Sequence, residues 1–488
     1  MTKMKRASVG IYIVGILCVV TLTTCGASAE LSEEVIEVLG KELSARTYEL
    51  GEISDSEVHR ERTFLGPAWA KAAELVTTFM EEAGLETWMD GIGNIHGRTP
   101  AAMSEDAPAL LVGSHFDTII DAGAYDGPLG VLTSIAATKA VMLDAKSSGA
   151  KLIRPVEVIA FGDEEGVRFV NAPDIFLCSE AVAGSLIPKG GLGLVDDKNI
   201  TLGEALNAYG LDGSEEAIAN TALDPSAIHA FVELHIEQGP VLESMNRPVG
   251  VVSAINGMTG FGVRILGKQG HAGTSRMDLR KDSLAAAAEA IVMIENVCAS
   301  HEEAKDKMLV CTVGRVLVEP SVSNVISGDV YFTVDMRAMD YDILSAAVDE
   351  VRDRILRLGT RRSVTIEFDK VKPVVPPVHM DAAVSAKLAA AVEAAGVESD
   401  SIWGDNVVGG SLPERTAAAP FLPSGANHDC GMMAKITNVG MLWTRCKDGI
   451  SHSPLEHVDE RDIAEGALAL YRYVFVHMHI AHNNRIFR

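Results

Sequence analysis

The sequence predicts an α/β protein in which a mostly parallel sheet with helices on both faces is interrupted by a smaller α+β domain. Two observations support this fold class. Continuous apolar strands alternate with amphipathic helices through the first half of the chain, which is typical of parallel sheets that are buried on both sides. After about residue 246 the strands alternate in polarity instead, and the first pattern returns near residue 374.

The composition is that of a globular protein with enough residues for two or three domains. The chain has 488 residues, of which 47% are hydrophobic and 5% aromatic, and its formal net charge is −25. Because such a chain repels phosphate backbones and anionic membrane surfaces, we expect no nucleic-acid partner.

Residues 1–29 are expected to form a signal peptide. A basic start, MTKMKR, precedes the apolar run ASVGIYIVGILCVVTLTT, and the small residues ASA end at position 29. Because this run is close to the length that spans a bilayer, an uncleaved membrane anchor is the alternative. We expect a mature chain from residue 30 that enters the secretory pathway and makes no membrane contact after cleavage.

Five of the seven cysteines lie outside the predicted leader, at Cys178, Cys298, Cys311, Cys430 and Cys446. An odd number without close spacing predicts no disulfide framework. The sequence Asn-Ile-Thr at 199–201 is an acceptor for N-glycosylation if the chain enters the secretory pathway.

Residues 30–245 and 374–488 are expected to form the main domain. Its clearest predicted elements are helices in 66–84 and 127–145 and strands in 107–115, 156–166 and 229–239. All three strands end in histidine or acidic residues. In parallel sheets ligands bind at the carboxyl ends of the strands, so a functional site is predicted at that edge.

Residues 246–373 are expected to form the inserted domain, a four-stranded antiparallel sheet with two helices on one face. The run 248–270 alternates as an antiparallel pair of strands would. Three prolines within 371–381 mark the return to the main domain.

Five potential metal ligands follow the predicted strand ends: His115, Asp126, Glu165, His235 and His452. Taken singly each is weak evidence, because a loop histidine or a pair of acids is usually solvated or satisfied within the fold. Together they would meet at one rim of the sheet. Their convergence therefore predicts a shared metal site.

Imidazole and carboxylate ligands suit Zn, Mn, Co or Ni. One carboxylate between two histidine-containing sets predicts two ions about 3.5–4 Å apart, bridged by Asp126. Asp117, two residues after His115, is placed to accept the ring N–H of that histidine. Glu164, beside Glu165, would remain free as general base for a water activated by the ions.

The segments GSHFDT, DEEGVRF, ELHIEQGPVLE, GHAGT and GISHSPLEHV together resemble the metal-dependent amidohydrolases of the M20 peptidase superfamily, in the same order over roughly residues 35–480. Within that superfamily, DTIIDAGAYDG and WTRCKDGISHSPLEH are most similar to allantoate amidohydrolases of plant type. The resemblance implies hydrolysis of the ureido group of allantoate to ureidoglycine or ureidoglycolate, ammonia and CO2, a step of purine and ureide catabolism. Ureidoglycolate amidohydrolase and N-carbamoyl-L-amino-acid hydrolase are the alternatives, and an aminoacylase or dipeptidase is more distant.

The resemblance also implies a cofactor and a location. Two divalent ions per subunit are expected, manganese with zinc as the alternative, and the enzyme would reside in the endoplasmic reticulum. The implied ligands are His115, Asp126 and His235 for one ion and Asp126, Glu165 and His452 for the other. Glu164 would activate the bridging water as a catalytic residue, together with Asp117.

The inserted domain would act as a lid and as the dimerisation domain of a homodimer. His271 would stabilise the oxyanion and would reach across the dimer into the neighbouring active site. Gln238, Asn324 and Arg337 would bind the small ureido substrate together with His271. A planar guanidinium suits the substrate carboxylate because it can donate two parallel hydrogen bonds.

Several positions depart from the family pattern. Asn427 and Cys430 stand in GANHDC where glycine and alanine are usual, Arg276 replaces a proline, and Cys178 replaces a glycine. None of these is a proposed metal ligand. A non-catalytic scaffold on the same fold is the alternative from another class, but it predicts missing ligands, and all five are present.

Overall fold

The computed structural model describes residues 31–100, 103–104, 106–169, 176–301, 308–369, 374–398, 418–476 and 478–479. The predicted signal peptide lies outside these residues.

The α-helices of the described residues are α1 Glu33–Glu37, α2 Leu43–Gly51, α3 Pro67–Glu82, α4 Pro128–Ser148, α5 Leu177–Val182, α6 Leu202–Tyr209, α7 Glu215–Ala219, α8 Val241–Ser244, α9 Ser283–Ser300, α10 Tyr341–Arg362, α11 Ala382–Glu398, α12 Asp429–Met433 and α13 Glu460–Phe475. A π-helical turn, Val38–Glu42, joins the first two.

The strands are β1 Glu86–Met89, β2 Ile95–Arg98, β3 Ala109–His115, β4 Lys151–Leu152, β5 Val156–Phe161, β6 Ile228–Ile236, β7 Val249–Ile255, β8 Gly257–Leu266, β9 Gly270–His271, β10 Val310–Thr312, β11 Val316–Glu319, β12 Val325–Ile326, β13 Asp329–Ala338, β14 Thr365–Phe368, β15 Val378–His379, β16 Phe421–Ser424, β17 Val439–Thr444 and β18 Met478–His479.

The larger sheet has nine strands in the part of the chain that the structure describes. Their order is β1-β2-β5-β3-β6-β17-β7-β15, and β16 also pairs with β7. The four central strands β5, β3, β6 and β17 are parallel, whereas β1, β2 and β15 join in antiparallel fashion. The predicted fold class, with a mostly parallel central sheet, is confirmed.

Helices cover the central strands and complete the larger core. Helix α4 contacts β3, β5 and β6 and also packs against α13. It is buried almost throughout its first fourteen residues, so its apolar character reflects its place in the core. Among the helices that the structure describes, α4 and α9 are long and apolar enough to cross a membrane by length and composition alone, but 72% of the most apolar window of α4 is buried in the protein.

The smaller sheet is antiparallel and has its own core. Its order is β10-β13-β8-β14, with β11 paired to β13 beyond β10. Helices α9 and α10 contact each other and the sheet. Four strands were expected and five are found among the described residues, because the predicted edge strand is interrupted at Gly314 and becomes two short ones.

The predicted antiparallel pair in 248–270 is wrong. Strand β7 belongs to the larger sheet, where it pairs with β17 and β16, while β8 belongs to the smaller sheet. The two are separated by Asn256, whose backbone N–H donates to the Ser424 carbonyl oxygen at 2.9 Å. Alternation along a run shows that one face is buried, but it does not show which sheet covers that face.

One disulfide links the inserted domain internally, although no disulfide framework was expected. Cys298 of α9 bonds to Cys311 of β10, with 6.1 Å between their Cα atoms. The two residues meet because the chain turns back after the helix to form an edge strand, which spacing alone does not reveal. Cys178, Cys430 and Cys446 are free and buried.

Candidate active site

The proposed ligands lie together because neighbouring parallel strands end at the same rim. His115 is the last residue of β3, and His235 is the penultimate residue of β6. Glu164 follows the end of β5 by three residues, and His452 lies in the segment after β17. Asp126 directly precedes the turn into α4. The order β5-β3-β6-β17 places these four strand ends side by side.

The first group of ligand atoms is buried and compact. The Nε2 atom of His235 lies 3.1 Å from Oδ1 of Asp126 and 3.4 Å from Nε2 of His115. The Nε2 of His115 is 3.9 Å from the same carboxylate oxygen. Ligands that share an ion through bonds of about 2 Å have such separations, so these three residues can hold one ion.

The second group uses the other oxygen of the same aspartate. The Nε2 atom of His452 lies 3.2 Å from Oδ2 of Asp126 and 3.5 Å from Oε1 of Glu165. The ligand atoms of each group fall within 4.8 Å of one another. Asp126 thus offers one oxygen to each group, as a bridging carboxylate would.

Both buried histidines are oriented through their Nδ1 atoms. The Nδ1–H of His235 donates to the carbonyl oxygen of Ile236 at 2.9 Å. The Nδ1 of His115 lies 3.3 Å from the carbonyl oxygen of Asp117, its hydrogen-bond partner, and 3.3 Å from the Oδ1 atom of the same residue. Hydrogen bonds of this kind fix the tautomer and leave Nε2 available as the ligand.

Asp117 also organises the turn that carries the paired glutamates. Its Oδ1 accepts the backbone N–H of Glu164 at 3.0 Å, and its Oδ2 accepts that of Glu165 at 3.2 Å. One buried carboxylate therefore connects the histidine at the end of β3 to the acids after β5. It acts here as a positioning residue.

Two glycines in the loop GAYDG permit close packing around the aspartate. Gly127 has φ +83°, and a Cβ there would collide with the ring of His115. A Cβ at Gly123 would collide with the carboxylate of Glu456. The glycine spacing of this loop is explained by the side chains that must approach its backbone.

Glu456 supports the loop from behind, a role that was not predicted from the sequence. Its Oε1 accepts the backbone N–H of Tyr125 at 2.8 Å and that of Asp126 at 3.1 Å. Burial raises its pKa to about 7, and the nearby charge of Asp126 contributes to this rise. The motif SHSPLEH contains this residue, but its function depends on a backbone contact more than three hundred residues away in sequence.

The Asp126 carboxylate has two further donors. The hydroxyl of Ser451 donates to Oδ2 at 2.6 Å, and the Nε2 of Gln238 donates to the same oxygen at 2.8 Å. Gln238 and His452 both adopt left-handed backbone conformations, with φ of 55° and 54°. Such conformations cost energy in residues other than glycine and are frequent at functional sites.

Charge within the cluster is strongly coupled. Burial raises the pKa of Asp126, but hydrogen bonds from His235 and His452 outweigh burial and hold the pKa well below its usual range. Burial lowers the pKa of His235, yet the hydrogen bond to Asp126 and the carboxylate charges raise it to about 9. These residues therefore form an ionised network.

The paired glutamates show the opposite shift. Burial raises the pKa of Glu164 well above its usual range, and the charges of Glu165, Asp429 and Asp117 raise it further. Burial likewise raises the pKa of Glu165, followed by the charge of Asp126. This concentration of buried carboxylates, with three imidazoles beside it, has the donor chemistry that divalent cations require.

The ligand cluster opens into a cavity of about 230 Å³. Besides Asp126 and the paired glutamates, His235 and His452, its walls are formed by Phe176, Gln238, Met258, Arg337, Ala426, Asn427 and His428. Arg337 lies in β13 of the smaller sheet. Its guanidinium pairs with Asp335 at 2.9 Å and donates to the carbonyl oxygen of Gly425 at 2.7 Å. Both sheets thus contribute to one cavity.

His271 and Asn324 do not line this cavity. Both are exposed. His271 lies on β9, which pairs with β12, and Asn324 lies in the turn just before β12. The Nδ1 of His271 accepts the backbone N–H groups of Gly273 and Thr274 at 3.0 and 3.2 Å. Accepting at Nδ1 leaves the proton on Nε2, so the ring presents a donor to solvent.

The departures from the family pattern have identifiable neighbours. Asn427 lines the cavity and its Nδ2 lies 3.0 Å from Sδ of Met258. Cys430 is buried in α12, where its N–H donates to Glu233 at 2.8 Å. Arg276 is exposed and pairs with Asp278 at 2.9 Å. Of these three, Asn427 borders the space that a substrate would occupy.

A cavity lined by histidines and carboxylates whose ligand atoms lie within 4.8 Å of one another in each group fits a metal-dependent hydrolase. The sequence profile described as Peptidase family M20/M25/M40 matches residues 110–475. The chain belongs to this family and is an enzyme of it.

Several relatives with high coverage are allantoate deiminases. Allantoate deiminase 1 of Glycine max is 42% identical over 452 residues, which cover 90% of this chain and 89% of the relative. The allantoate deiminase of Arabidopsis thaliana is 41% identical over 451 residues, with coverages of 90% and 82%. The predicted resemblance to allantoate amidohydrolases is confirmed.

One of the alternative activities, that of an N-carbamoyl-L-amino-acid hydrolase, is also represented among the relatives. The N-carbamoyl-L-amino-acid amidohydrolase of Pseudomonas sp. (strain NS671) is 34% identical over 432 residues, covering 88% of this chain and 95% of the relative. The solved structure of AtUAH in complex with glyoxylate superimposes with a TM-score of 0.70 at 30% identity, covering 92% of this chain and 98% of that one.

Proposed function

We propose that this enzyme hydrolyses the ureido group of allantoate and yields ureidoglycine or ureidoglycolate, together with ammonia and CO2. The proposal rests on the cluster of three histidines, two of them buried, and paired carboxylates around Asp126, in a chain 42% identical to an allantoate deiminase over 90% of its length. The reaction would be a step of purine and ureide catabolism.

Two divalent ions are the proposed cofactor, with His115, Asp126 and His235 around one and Asp126, Glu165 and His452 around the other. Bound there, the ions would supply positive charge that polarises the ureido carbonyl and lowers the pKa of the attacking water. Manganese is proposed from the family resemblance. The ligand types suit zinc as well, so metal identity needs a direct measurement.

Glu164 is the proposed general base and acid. Its carboxylate lies at the wall of the cavity, and its Oε2 is 3.9 Å from the Nε2 of His115. It would take a proton from the water that attacks the ureido carbon and return that proton to the departing ammonia. The remaining carbamate would then lose CO2.

Arg337 and Gln238 are the proposed substrate-binding residues of the same subunit. Both border the cavity, and a guanidinium can bind the allantoate carboxylate through two parallel hydrogen bonds. Asn324 and His271 would join them from the inserted domain. The guanidinium of Arg337 is already oriented by Asp335, which limits the number of its arrangements.

A homodimer is proposed because His271 is exposed away from the cavity of its own chain. Exposed apolar side chains on the inserted domain support association, notably Leu284 and Val292 of α9 and Val316 and Leu317 of β11. In such a dimer His271 of the partner subunit would donate to the oxyanion that forms at the ureido carbonyl.

The proposed location is the secretory pathway, with residence in the endoplasmic reticulum. The leader at residues 1–29 supports this proposal, and so does the internal disulfide, because disulfides persist in oxidising compartments.

Ammonia release from the purified mature chain tests the substrate. Allantoate, ureidoglycolate and an N-carbamoyl amino acid are compared at equal concentration, with chelator and after addition of manganese or zinc. We expect fastest release from allantoate, loss of activity with chelator and recovery with manganese. Turnover of the carbamoyl amino acid alone would reject allantoate while leaving the family assignment intact.

A further inference from the structure

The turn between Val195 and Thr201 lies at the surface of the main domain, where residues 197–199 are exposed. The two residues form an antiparallel bridge, and Asp196 stabilises the turn by accepting the backbone N–H groups of Lys198 and Ile200 at 2.9 Å each. Asp196 is also paired with Arg168 at 3.2 Å. The turn is therefore a fixed feature of the surface.

Asn199 is exposed at this turn and has φ +59°. Asparagine tolerates this left-handed conformation better than most residues, which gives it one structural reason to be there. Its side-chain amide has no hydrogen-bond partner among the described residues, and it does not border the catalytic cavity. The amide nitrogen is thus accessible without disturbing the fold.

Thr201 completes the acceptor sequence and has a structural role of its own. It caps α6, where its hydroxyl donates to Oε2 of Glu204 at 2.8 Å and accepts the backbone N–H of the same residue at 3.3 Å. The intervening Ile200 is not proline, as the acceptor sequence requires. Asn-Ile-Thr is the one Asn-X-Ser/Thr sequence in the 488 residues.

A separate feature indicates the compartment that glycosylation needs. The disulfide between Cys298 and Cys311 lies in the inserted domain, well separated in sequence from the turn. Disulfides are rare in cytosolic proteins and common in chains that pass through the endoplasmic reticulum. The disulfide thus points to this compartment independently of the leader.

We infer that Asn199 carries an N-linked oligosaccharide. The inference rests on the proposed secretory location, but not on the proposed substrate. The transfer forms a bond between the amide nitrogen of Asn199 and the anomeric carbon of a sugar, and breaks the bond from that carbon to a lipid-linked diphosphate donor. The lipid diphosphate leaves together with the proton lost by the amide.

The test expresses the full chain with its own leader in eukaryotic cells and treats the product with an amidase that cleaves N-linked glycans. We expect a decrease in apparent mass on treatment, and Asn199 read as aspartate by mass spectrometry. Two variants remove the acceptor by different routes while keeping the fold. Asn199→Gly retains the left-handed turn, and Thr201→Asn retains a favourable helix cap.

Both variants should lose the mass shift and keep the turnover of wild type, whereas Thr201→Ser should keep both. A wild-type chain without the shift overturns the inference. The chain is then expressed behind a leader known to direct proteins into the endoplasmic reticulum, and the mass shift is measured again. A shift that appears only with this leader shows that the natural leader failed to direct entry, whereas a shift absent with both leaders shows that Asn199 is not an acceptor. Ammonia release is measured on the same samples, so a failure of the proposed substrate is seen independently.

Discussion

Asp126 is contacted on both carboxylate oxygens by side chains from several separate segments. His235 approaches Oδ1, while His452, Ser451 and Gln238 approach Oδ2. Its backbone N–H is held by Glu456. A side chain with this many fixed partners is preorganised, which favours metal binding because little ordering remains to be done.

Glu164→Gln should separate proton transfer from metal binding. Glutamine keeps the size of the side chain but cannot accept a proton, so we expect turnover to fall about a hundred- to ten-thousand-fold. Metal content, measured by mass spectrometry after gel filtration, should be unchanged. Retained turnover would remove Glu164 from the mechanism, and lost metal would make it a ligand.

Glu456 is expected to support the bridging aspartate through the backbone. Glu456→Ala leaves two buried N–H groups without an acceptor, so we expect manganese affinity to fall about ten- to a hundred-fold. Glu456→Gln keeps a carbonyl oxygen in place and should bind the ion nearly as wild type does. Calorimetric titration of manganese into the metal-free protein measures both variants. If both variants lose the same manganese affinity, the charge of Glu456 supports metal binding and its hydrogen bonds do not.

The residues at strand ends could be predicted from the sequence better than the residues that support them. His115, Glu165 and His235 follow recognisable buried strands, so their meeting at one rim could be inferred from chain order. Glu456 and Ser451 act through contacts that exist only after the chain has folded. No local pattern distinguishes them from ordinary polar loop residues.

At the level of strands and helices, the adjacency of β5, β3, β6 and β17 determines which loops meet. Three of these strands were predicted from apolar runs, and the fourth, β17, precedes the segment that carries His452. The error at β7 and β8 arose at the junction of two sheets, where one alternating run supplies strands to both. The polarity pattern of a strand shows which of its faces is buried, whereas long-range packing determines which strand pairs with it.

The edge of the larger sheet carries a second buried ionic cluster. His96 of β2 lies 2.9 Å from Oε1 of Glu157 and 3.2 Å from Oδ2 of Asp90. Trp88 stacks on its ring with 4.8 Å between centroids. Burial lowers the pKa of His96, but the hydrogen bonds that its ring donates to these two acids outweigh burial and raise the pKa to about 9.

This cluster should make stability depend on pH at alkaline values. His96 stays protonated up to about pH 9 in the folded protein but only to about 6.5 in the unfolded chain. Its stabilisation is therefore complete below about pH 6.5 and is lost as pH rises through about 9. The difference between these pKa values corresponds to about 3 kcal/mol.

Urea unfolding at several pH values measures this contribution. The free energy of unfolding of wild type should exceed that of His96→Gln by more at about pH 6 than at about pH 10. His59→Gln, at a less buried histidine that pairs with Glu61, is the matched control for replacing an ion-paired histidine with glutamine. A difference between wild type and His96→Gln that does not vary with pH would contradict the ionised cluster.

For the whole molecule, the main question is how residues of the inserted domain reach a cavity in the main domain. Arg337 of the inserted domain lines the cavity of its own chain and donates to the carbonyl oxygen of Gly425 in the main domain. His271 is exposed and lies outside the same cavity. The sequence resemblance implies that a partner subunit supplies this histidine, whereas the local pattern around His271 does not show which cavity it serves.

Mixed dimers test the shared site. His271→Ala and Glu164→Gln should each be nearly inactive alone. When the two are co-expressed, one site of each mixed dimer combines an intact Glu164 with His271 of the partner subunit, so activity should return. Ammonia release from allantoate measures the recovery. If His271 acts within its own chain, every site lacks one of the two residues and the mixture stays inactive.

The proposed chemistry depends on five side chains that hold two ions, with one aspartate shared between them. Anomalous diffraction from a crystal grown with manganese tests this two-metal site directly. We expect two manganese peaks per subunit about 3.5–4 Å apart, one beside His115 and His235, the other beside Glu165 and His452, with Asp126 between them. A single peak, or peaks away from these side chains, would contradict the two-metal site.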